Sequence, residues 1–225
     1  LCGATGSHRW RLTVEGAGGH SYADFGKVPS AIHAICRAGA KMANFRVPSD
    51  PKTTYTIGTV KGGTTVNSIA ARASVEVDMR SVSNEELLAL EAKILEAFEE
   101  GVREENEFWG VTDEALRLRL VKEAIGNRPA GMRPDDCPVL QSARAAQKSL
   151  GIELTKYMCS STDANAPMSL GIPSTCLCSG GKGVNAHTTK EYFEMVDTHL
   201  GPQLVFLTTC LLVGADGSSP KLPRR

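Results

Sequence analysis

Four segments of the first 120 residues have the hydrophobic pattern of β-strands. Successive side chains of a strand point to opposite faces, so alternating hydrophobic and polar residues predict a strand buried on one face. The clearest case is residues 72–80, and residues 53–60 are rich in the β-branched residues that favour strands. The predicted strands are residues 9–15, 53–60, 72–80 and 116–120.

Two further segments repeat apolar residues at helical spacing. Pro29 suits the first turn of one helix, and Ser83 with Glu86 fits a capping box at the start of the other. The predicted buried faces are Ile32, Ile35, Cys36, Gly39 and Met42 in the first helix, and Leu87, Leu90, Ile94, Leu95, Phe98 and Val102 in the second. The order β-α-β-β-α-β predicts an α+β unit of ferredoxin-like topology, with both helices on one face of an antiparallel sheet.

The second half of the chain has a different pattern, which predicts part of an α/β domain. Three prolines between residues 127 and 138 place a boundary near residue 125. The elements predicted after it are a helix from Pro138 to Gly151, buried strands at residues 152–157 and 172–178, and a helix capped by Thr188 and Glu191 that continues, with a break at Gly201-Pro202, to about Val213. We therefore expect domains at residues 1–125 and 126–214, followed by a loose tail at 215–225.

The composition is that of an ordinary water-soluble protein, with 41% hydrophobic and 22% charged residues. Lys+Arg and Asp+Glu both number 25, so net charge favours neither a nucleic-acid nor a membrane partner. Aromatic residues make up only 5%, which also disfavours base stacking. The longest apolar stretch, residues 204–214, is shorter than the about 20 residues needed to cross a bilayer.

The seven cysteines are odd in number and irregularly spaced, which favours reduced thiols in the cytoplasm over a secreted disulfide scaffold. Cys176 and Cys178 fit either a buried strand or a soft-metal pair, and we expect the strand. The first eight residues lack the features of a targeting segment, and the chain does not begin with Met. Such a start is expected of a processed protein or of a piece of a longer one.

Three polar loops hold residues that could carry chemistry: His20 after the first strand, Asp163 and Asn165 in the second half, and His187 beside Glu191. Each loop has a simpler explanation. A flexible turn accounts for His20, an Asx turn or helix cap accounts for Asp163, and a capping box accounts for Glu191 but not for His187.

No local motif completes a catalytic site. A catalytic zinc needs about three protein ligands, and two metals need more, yet the chain has no His-Glu-x-x-His, His-x-His or His-x-Asp. A serine hydrolase is disfavoured because Gly-x-Ser-x-Gly is absent. A thiol enzyme built from Cys159 and His187 would lack a helix start to activate the thiol.

Six motifs, taken in order, resemble those of one family. They are Gly-x-Gly-Gly-His-Ser ending at Ser21, Gly63-Thr64-Thr65-Val66-Asn67-Ser68-Ile69, Asp78-Met79-Arg80, Thr162-Asp163-Ala164-Asn165, Gly171-Ile172-Pro173 and Ala186-His187-Thr188-Thr189-x-Glu191. With the βαββαβ unit, they resemble the dinuclear zinc hydrolases of peptidase family M20, such as tripeptide aminopeptidase, acetylornithine deacetylase and succinyl-diaminopimelate desuccinylase. The resemblance extends over about residues 7–213.

The resemblance implies a lid that forms the dimer interface, followed by the C-terminal part of a zinc-binding catalytic domain. His20 would reach into the active site of the partner subunit and stabilise the tetrahedral oxyanion. His187 would be the last zinc ligand, and the complete enzyme would hold two zinc ions or other divalent metals. The residues implied to contact substrate are Asn67, Arg80, Asp163 and Asn165.

The first catalytic segment of that family, which supplies the other metal ligands and the general base, has no counterpart in this sequence. Ser160-Ser161 also replaces the usual Gly-Gly. We therefore expect part of a cytoplasmic, homodimeric metallopeptidase or amidohydrolase that cleaves short peptides or N-acyl amino acids with a metal-activated water, and that is inactive without the missing segment. The alternative is a non-catalytic dimerisation or regulatory module of the same origin.

Overall fold

The computed structural model describes residues 3–153, 158–215, 219–220 and 222. They form two units, one from Thr5 to Ala130 and one that combines Gly3–Ala4 with the residues from Gly131 onward. Among the helices of the described residues, none combines the length and the apolar character needed to cross a membrane.

The first unit is a four-stranded antiparallel sheet with two helices packed against it. Its elements are β1 (Gly6–Glu15), α1 (Ala31–Ala43), β2 (Thr53–Gly62), β3 (Arg72–Ser81), α2 (Asn84–Phe108) and β4 (Arg119–Arg128). The strands lie in the order β2-β3-β1-β4, and all neighbours are antiparallel. This order confirms the predicted ferredoxin-like fold.

The alternation of β3 separates a core face from a charged face. Its four inward residues, Ala73, Val75, Val77 and Met79, are at most 2% exposed and pack against both helices. On the outer face, arginines of β1 pair with carboxylates of β3 and β4. The shortest contacts are Arg9 to Asp78 at 2.7 Å, Arg11 to Glu76 at 2.9 Å and Arg11 to Glu123 at 2.9 Å.

The buried face predicted for α1 was partly wrong. Ile35 and Met42 are buried, but Ile32 and Cys36 are exposed. The remaining buried positions of α1 are alanines at 31, 34 and 38. The small side chains allow α1 and α2 to approach closely. The helices are so close that a Cβ added to Gly101 of α2 would lie 2.7 Å from the Ala34 carbonyl oxygen of α1.

In α2, by contrast, the predicted stripe is confirmed, and the capping box is half formed, because the Ser83 amide donates to the Ser81 hydroxyl at 3.1 Å and not to Glu86. The Ser83 hydroxyl accepts a hydrogen bond from the Glu86 amide at 3.3 Å. The predicted apolar residues all lie in the core, with Leu95 partly buried.

The last strand begins and ends later than the sequence pattern predicted. The Asn106 carboxamide accepts from the Leu118 amide at 2.9 Å and donates to its carbonyl at 3.1 Å. Both backbone groups of Leu118 are therefore engaged outside the sheet, and β4 begins at Arg119. The Asn84 carboxamide binds the backbone of Ala130 in the same two-way manner, so the unit extends beyond residue 125.

A buried carboxylate joins the two helices. The Glu105 side chain is 0% exposed and accepts a hydrogen bond from Arg37 Nε at 2.8 Å. It also accepts from the Trp109 indole at 2.9 Å and from the Ser30 amide at 3.3 Å. Burial raises the pKa of Glu105, but these hydrogen bonds outweigh burial and hold the pKa below its ordinary value.

The second unit consists of short strands and three helices. Its elements are α3 (Pro138–Ser149), α4 (Asn165–Ser169), β5 (Lys182–Val184), β6 (Tyr192–Glu194) and α5 (Leu200–Val213), with two-residue strands at Gly3–Ala4, Gly131–Met132 and Cys159–Ser160. The predicted start of α3 at Pro138 is confirmed, and Gly151, with φ of +67°, follows its end.

Several predictions in this unit were wrong. Residues 172–178 form no strand with any described residue, and they are exposed or half-buried. Thr188 and Glu191 do not cap a helix but lie between β5 and β6, which form a hairpin. Gly201-Pro202 lies within the first turn of α5 and does not interrupt it.

Two other predictions fall mainly on residues outside the described ranges. The strand predicted at 152–157 includes residues 154–157, and the tail at 215–225 includes residues 216–218, 221 and 223–225. All the described cysteines are free thiols.

We predict that Glu105→Ala lowers the free energy of unfolding by about 2–4 kcal/mol, because it leaves the buried donors and Arg37 without their acceptor. Urea unfolding followed by circular dichroism measures this loss. Glu104→Ala is the matched control, because the neighbouring Glu104 forms only a partly exposed pair with Lys41 and should cost a small fraction as much. Equal losses in the two variants would contradict the importance of the Glu105 network.

We also predict that Glu105 contributes stability at neutral pH that acid removes. Because its pKa is lowered in the folded state, its contribution is complete above the unfolded value of about 4.3 and disappears as the pH falls through the folded value. The difference in unfolding free energy between wild type and Glu105→Gln should therefore be largest at pH 6–7 and shrink below about pH 4. A difference that stays constant from pH 7 to pH 3 would contradict this assignment.

Candidate functional site

A short two-stranded ladder holds His20 in the first unit. Gly19–His20 pairs antiparallel with Ser68–Ile69, so that His20 lies opposite Ser68. The Ser21 amide donates to the Asn67 carbonyl oxygen at 3.0 Å, which holds the two loops side by side. The structure thus brings His20 and Asn67, which the sequence nominated separately, to one place, and both are exposed.

Two glycines make this ladder possible. Gly18 has φ of +66°, where a side chain is strained and would also meet Ala71. A Cβ on Gly19 would lie 2.9 Å from the side chain of Asp24. The small residues before His20 therefore allow the backbone to approach its neighbours closely.

Hydrogen bonds fix the tautomer of the His20 ring. Its Nδ1 lies 3.2 Å from the Tyr22 amide and 3.3 Å from the Ala23 amide, and it accepts from both. The proton of the neutral imidazole is therefore on Nε2. His20 presents an exposed N–H donor, which can stabilise a developing negative charge.

Asp24, which positions His20, was not predicted from the sequence pattern. The Asp24 carboxylate accepts from the His20 amide at 2.8 Å, and the Asp24 amide donates to the His20 carbonyl at 3.0 Å. An aspartate four residues after the histidine, in a polar turn, was the available signal, because such side chains commonly bind nearby backbone amides.

Asn67 offers a second donor beside His20. Its Oδ1 accepts from the Thr65 hydroxyl at 2.9 Å, which orients the carboxamide. Within the described ranges no group accepts from its Nδ2, so the amide N–H groups face solvent. The two loops therefore present two uncharged N–H donors.

Arg80 lies elsewhere on the same unit. Strand β3 begins at Arg72, next to Ala71, which lies against Gly18 of the ladder loop. Arg80 is eight residues further along β3, which corresponds to about 26 Å of strand. Its Nε donates to Asp78 at 2.7 Å, and Asp78 also binds Arg9. Burial raises the pKa of Asp78, but the hydrogen bonds from the two arginines outweigh it and lower that pKa. The ion pair with Asp78 accounts for Arg80 at this position without any contact to substrate. A role of Arg80 in substrate binding stays a prediction.

Asp163 and Asn165 lie at the start of α4 in the second unit. Asp163 is exposed, whereas Asn165 is 1% exposed. The Asn165 carboxamide accepts from the Thr162 amide at 2.7 Å, so its oxygen stabilises its own loop. Of the two residues, Asp163 is the more accessible to a ligand.

His187 lies in the loop of the β5–β6 hairpin, with φ of +67°. Its backbone amide donates to the Glu191 carboxylate at 3.1 Å, and its side chain is exposed. The positive φ is strained for a residue with a side chain, and the hydrogen bond to Glu191 helps to hold it. The loop therefore presents the imidazole at the surface of this unit.

The described residues do not form a metal site by themselves. A search of them finds no cluster of three His, Cys, Asp or Glu side chains. Glu191 contacts the backbone of His187 and not its ring. The donor set therefore does not fit two zinc ions without ligands from outside these residues.

The first unit corresponds to a known domain. Residues 2–106 match the peptidase dimerisation domain of family M20. Residues 2–106 therefore resemble the dimerisation domain of M20 peptidases. The match includes His20, Asn67 and Arg80, and it ends within α2.

The fold of the chain is similar to that of several solved enzymes. Aminopeptidase PepT from Bacillus cereus is 24% identical, with a TM-score of 0.73 over 92% of this chain and 52% of that one. A tripeptidase from Staphylococcus aureus is 21% identical, with a TM-score of 0.72 over 92% and 52% of the two chains. An amidase of the hydantoinase/carbamoylase family from Burkholderia vietnamiensis is 13% identical, with a TM-score of 0.62 over 92% and 48%.

The chain spans about half the length of these solved structures. At such low identities the likeness establishes the fold. Among curated proteins, none matches the sequence.

Proposed function

We propose that this chain is the lid and the C-terminal portion of a metal-dependent hydrolase that cleaves amide bonds in short peptides or N-acyl amino acids. The enzyme works as a homodimer joined through the first unit, and His20 acts on substrate bound by the partner subunit. His187 is a metal ligand, and zinc is the expected ion. The remaining ligands come from polypeptide outside these 225 residues.

The observation that carries this proposal is the pair of N–H donors at His20 and Asn67. Amide hydrolysis passes through a tetrahedral intermediate whose oxygen becomes negatively charged, and donors aimed at that oxygen accelerate the reaction. His20 Nε2 and Asn67 Nδ2 are exposed at one end of a rigid ladder, and their acceptor atoms are already engaged within the loops. Both groups are uncharged, so they can stabilise the oxyanion without giving up a proton.

The apolar surface of the second unit supports a larger catalytic domain. Helix α5 is apolar on nearly every side, a pattern typical of a helix buried in a domain core. Val205 and Phe206 are nevertheless half or more exposed, as are Phe193 and Met195 near the hairpin. We infer that another segment of the same protein covers this surface, which agrees with a chain half as long as its structural relatives.

We predict that His20→Ala in the complete protein lowers kcat by about 10²–10³ while metal content and KM change little. His20→Gln should recover part of this loss, because its side-chain amide restores an N–H donor. Steady-state hydrolysis of tripeptides measures both effects. A change confined to KM would mean that His20 positions substrate and does not stabilise the oxyanion.

We further predict that His187→Ala lowers metal content and activity together, as measured by metal analysis of the purified complete protein. If His20 acts across the dimer, mixing inactive His187→Ala with inactive His20→Ala should restore activity, because one of the two sites in a heterodimer keeps both residues. Activity restored only after subunit exchange would support the proposal. Unchanged metal content would remove His187 from the ligand set, and a wild-type protein without hydrolase activity would favour the non-catalytic dimerisation module.

A further inference from the structure

A small cavity lies directly beside the His20 ladder in the first unit. Its volume is about 290 Å³. The apolar part of its wall is formed by Phe25, Val28, Val66, Ile69 and Trp109. This volume is at the lower limit for small-molecule sites, so the cavity suits one side chain of a ligand better than a whole ligand.

The two aromatic walls are held in place before any ligand binds. The Trp109 indole donates to Glu105, whose carboxylate is itself fixed by Arg37 and the Ser30 amide. The Phe25 ring packs edge-on against Trp109, with 5.1 Å between ring centroids. A wall fixed in this way need not be ordered when a ligand enters, which favours binding.

The cavity adjoins both donors of the candidate site. Ser21 and Ser68, which line it, are the sequence neighbour and the ladder partner of His20. Val66, on its rim, precedes Asn67. A peptide whose scissile carbonyl faced these donors would therefore bring an adjacent side chain to the mouth of the cavity.

The lining favours an uncharged occupant. Its polar groups are serine side chains and His33, whose Nδ1 lies 3.3 Å from Glu105. The Glu105 carboxylate beneath Trp109 is fully buried and already paired with Arg37. A charged side chain would lose water without gaining a free counter-ion, whereas an apolar one would bury its surface against two aromatic rings.

We propose that this cavity binds one aromatic or branched aliphatic side chain of the substrate, on the residue adjoining the amide that faces His20. The inference rests on the proposed function, because it specifies which peptides that function selects. Phe25 and Trp109 are the specificity-determining residues.

Binding can be tested apart from hydrolysis. In the 225-residue chain carrying Trp10→Phe, Trp109 is the single tryptophan, and N-acetyl-L-phenylalanine amide should change its fluorescence saturably. N-acetyl-L-alanine amide should bind at least about tenfold more weakly, because it cannot fill the cavity. An equal response to both probes, or no response to either, would overturn the proposal.

Phe25→Ala and Phe108→Ala form a matched pair of variants. The two phenylalanines are similarly exposed, 69% and 66%, and both pack edge-on against Trp109 at about 5 Å, but only Phe25 lines the cavity. Phe25→Ala should weaken binding of the phenylalanine probe about tenfold or more, and Phe108→Ala should leave it unchanged. Equal weakening would mean that the effect arises from the packing of Trp109 and would overturn the assignment of Phe25.

Hydrolysis by the complete protein provides the second measurement. The ratio of kcat/KM for a leucine- or phenylalanine-containing tripeptide to that for its alanine analogue should fall about tenfold in Phe25→Ala. A fluorescence response without hydrolysis of any peptide would leave the cavity assignment standing and reject the proposed function. If the protein hydrolyses peptides but the ratio of kcat/KM values is unchanged in Phe25→Ala, the cavity assignment is rejected and the proposed function stands.

Discussion

The carboxylate of Glu105 is the constraint on which the arrangement of the first unit depends. It lies between α1 and α2 with no exposed surface, and its hydrogen bonds reach the cap of α1, the side chain of Arg37 and the indole that follows α2. A buried charge is costly unless it is paired and fully hydrogen-bonded, so these partners must all be in place together. Because Trp109 lines the cavity beside the His20 ladder, the same network holds one wall of that cavity.

The strands were predictable because their pattern is set by the pleat of the chain. In β3 every second residue is apolar, and a shift by one residue would turn all of them to solvent. The face of α1 was less predictable, because its buried residues are mainly alanines. These alanines contribute by allowing α1 to approach Gly101 of α2 closely. That contact depends on the partner helix, and alanines do not form a distinctive hydrophobic stripe in the sequence. Likewise, β4 begins where it does because Asn106 occupies the backbone of Leu118, a contact over 12 residues that no local pattern reveals.

The secondary structure of the second unit was predicted less well than that of the first unit, for a physical reason. An apolar run such as residues 172–178 suggests a strand by its composition, but a strand also needs a hydrogen-bonded neighbouring strand, and the local sequence does not reveal whether one is available. Capping signals at Thr188 and Glu191 have the same ambiguity, because a carboxylate three residues on can bind a loop amide as readily as a helix amide. Here Glu191 binds the amide of His187 in a hairpin loop, so the predicted helix cap was wrong.

For the candidate site, the sequence predicted His20 and Asn67 as candidates, and the structure shows the hydrogen bonds that their side chains make. The outer face of the sheet holds arginines that are already paired with carboxylates, including Arg80 with Asp78 and Arg72 with Glu15. A carboxylate of a substrate would have to compete with those partners. At the His20 ladder, by contrast, the donor is not occupied by a carboxylate. The backbone amides of Tyr22 and Ala23 bind Nδ1 of His20, so its Nε2–H group faces solvent. A neutral donor contributes most where negative charge develops during a reaction, and less to a charge already present in the bound substrate. The loops of this unit therefore suit the proposed stabilisation of a transition state better than the capture of a charged ligand, and the apolar cavity beside them suits the uncharged side chain that we propose it binds.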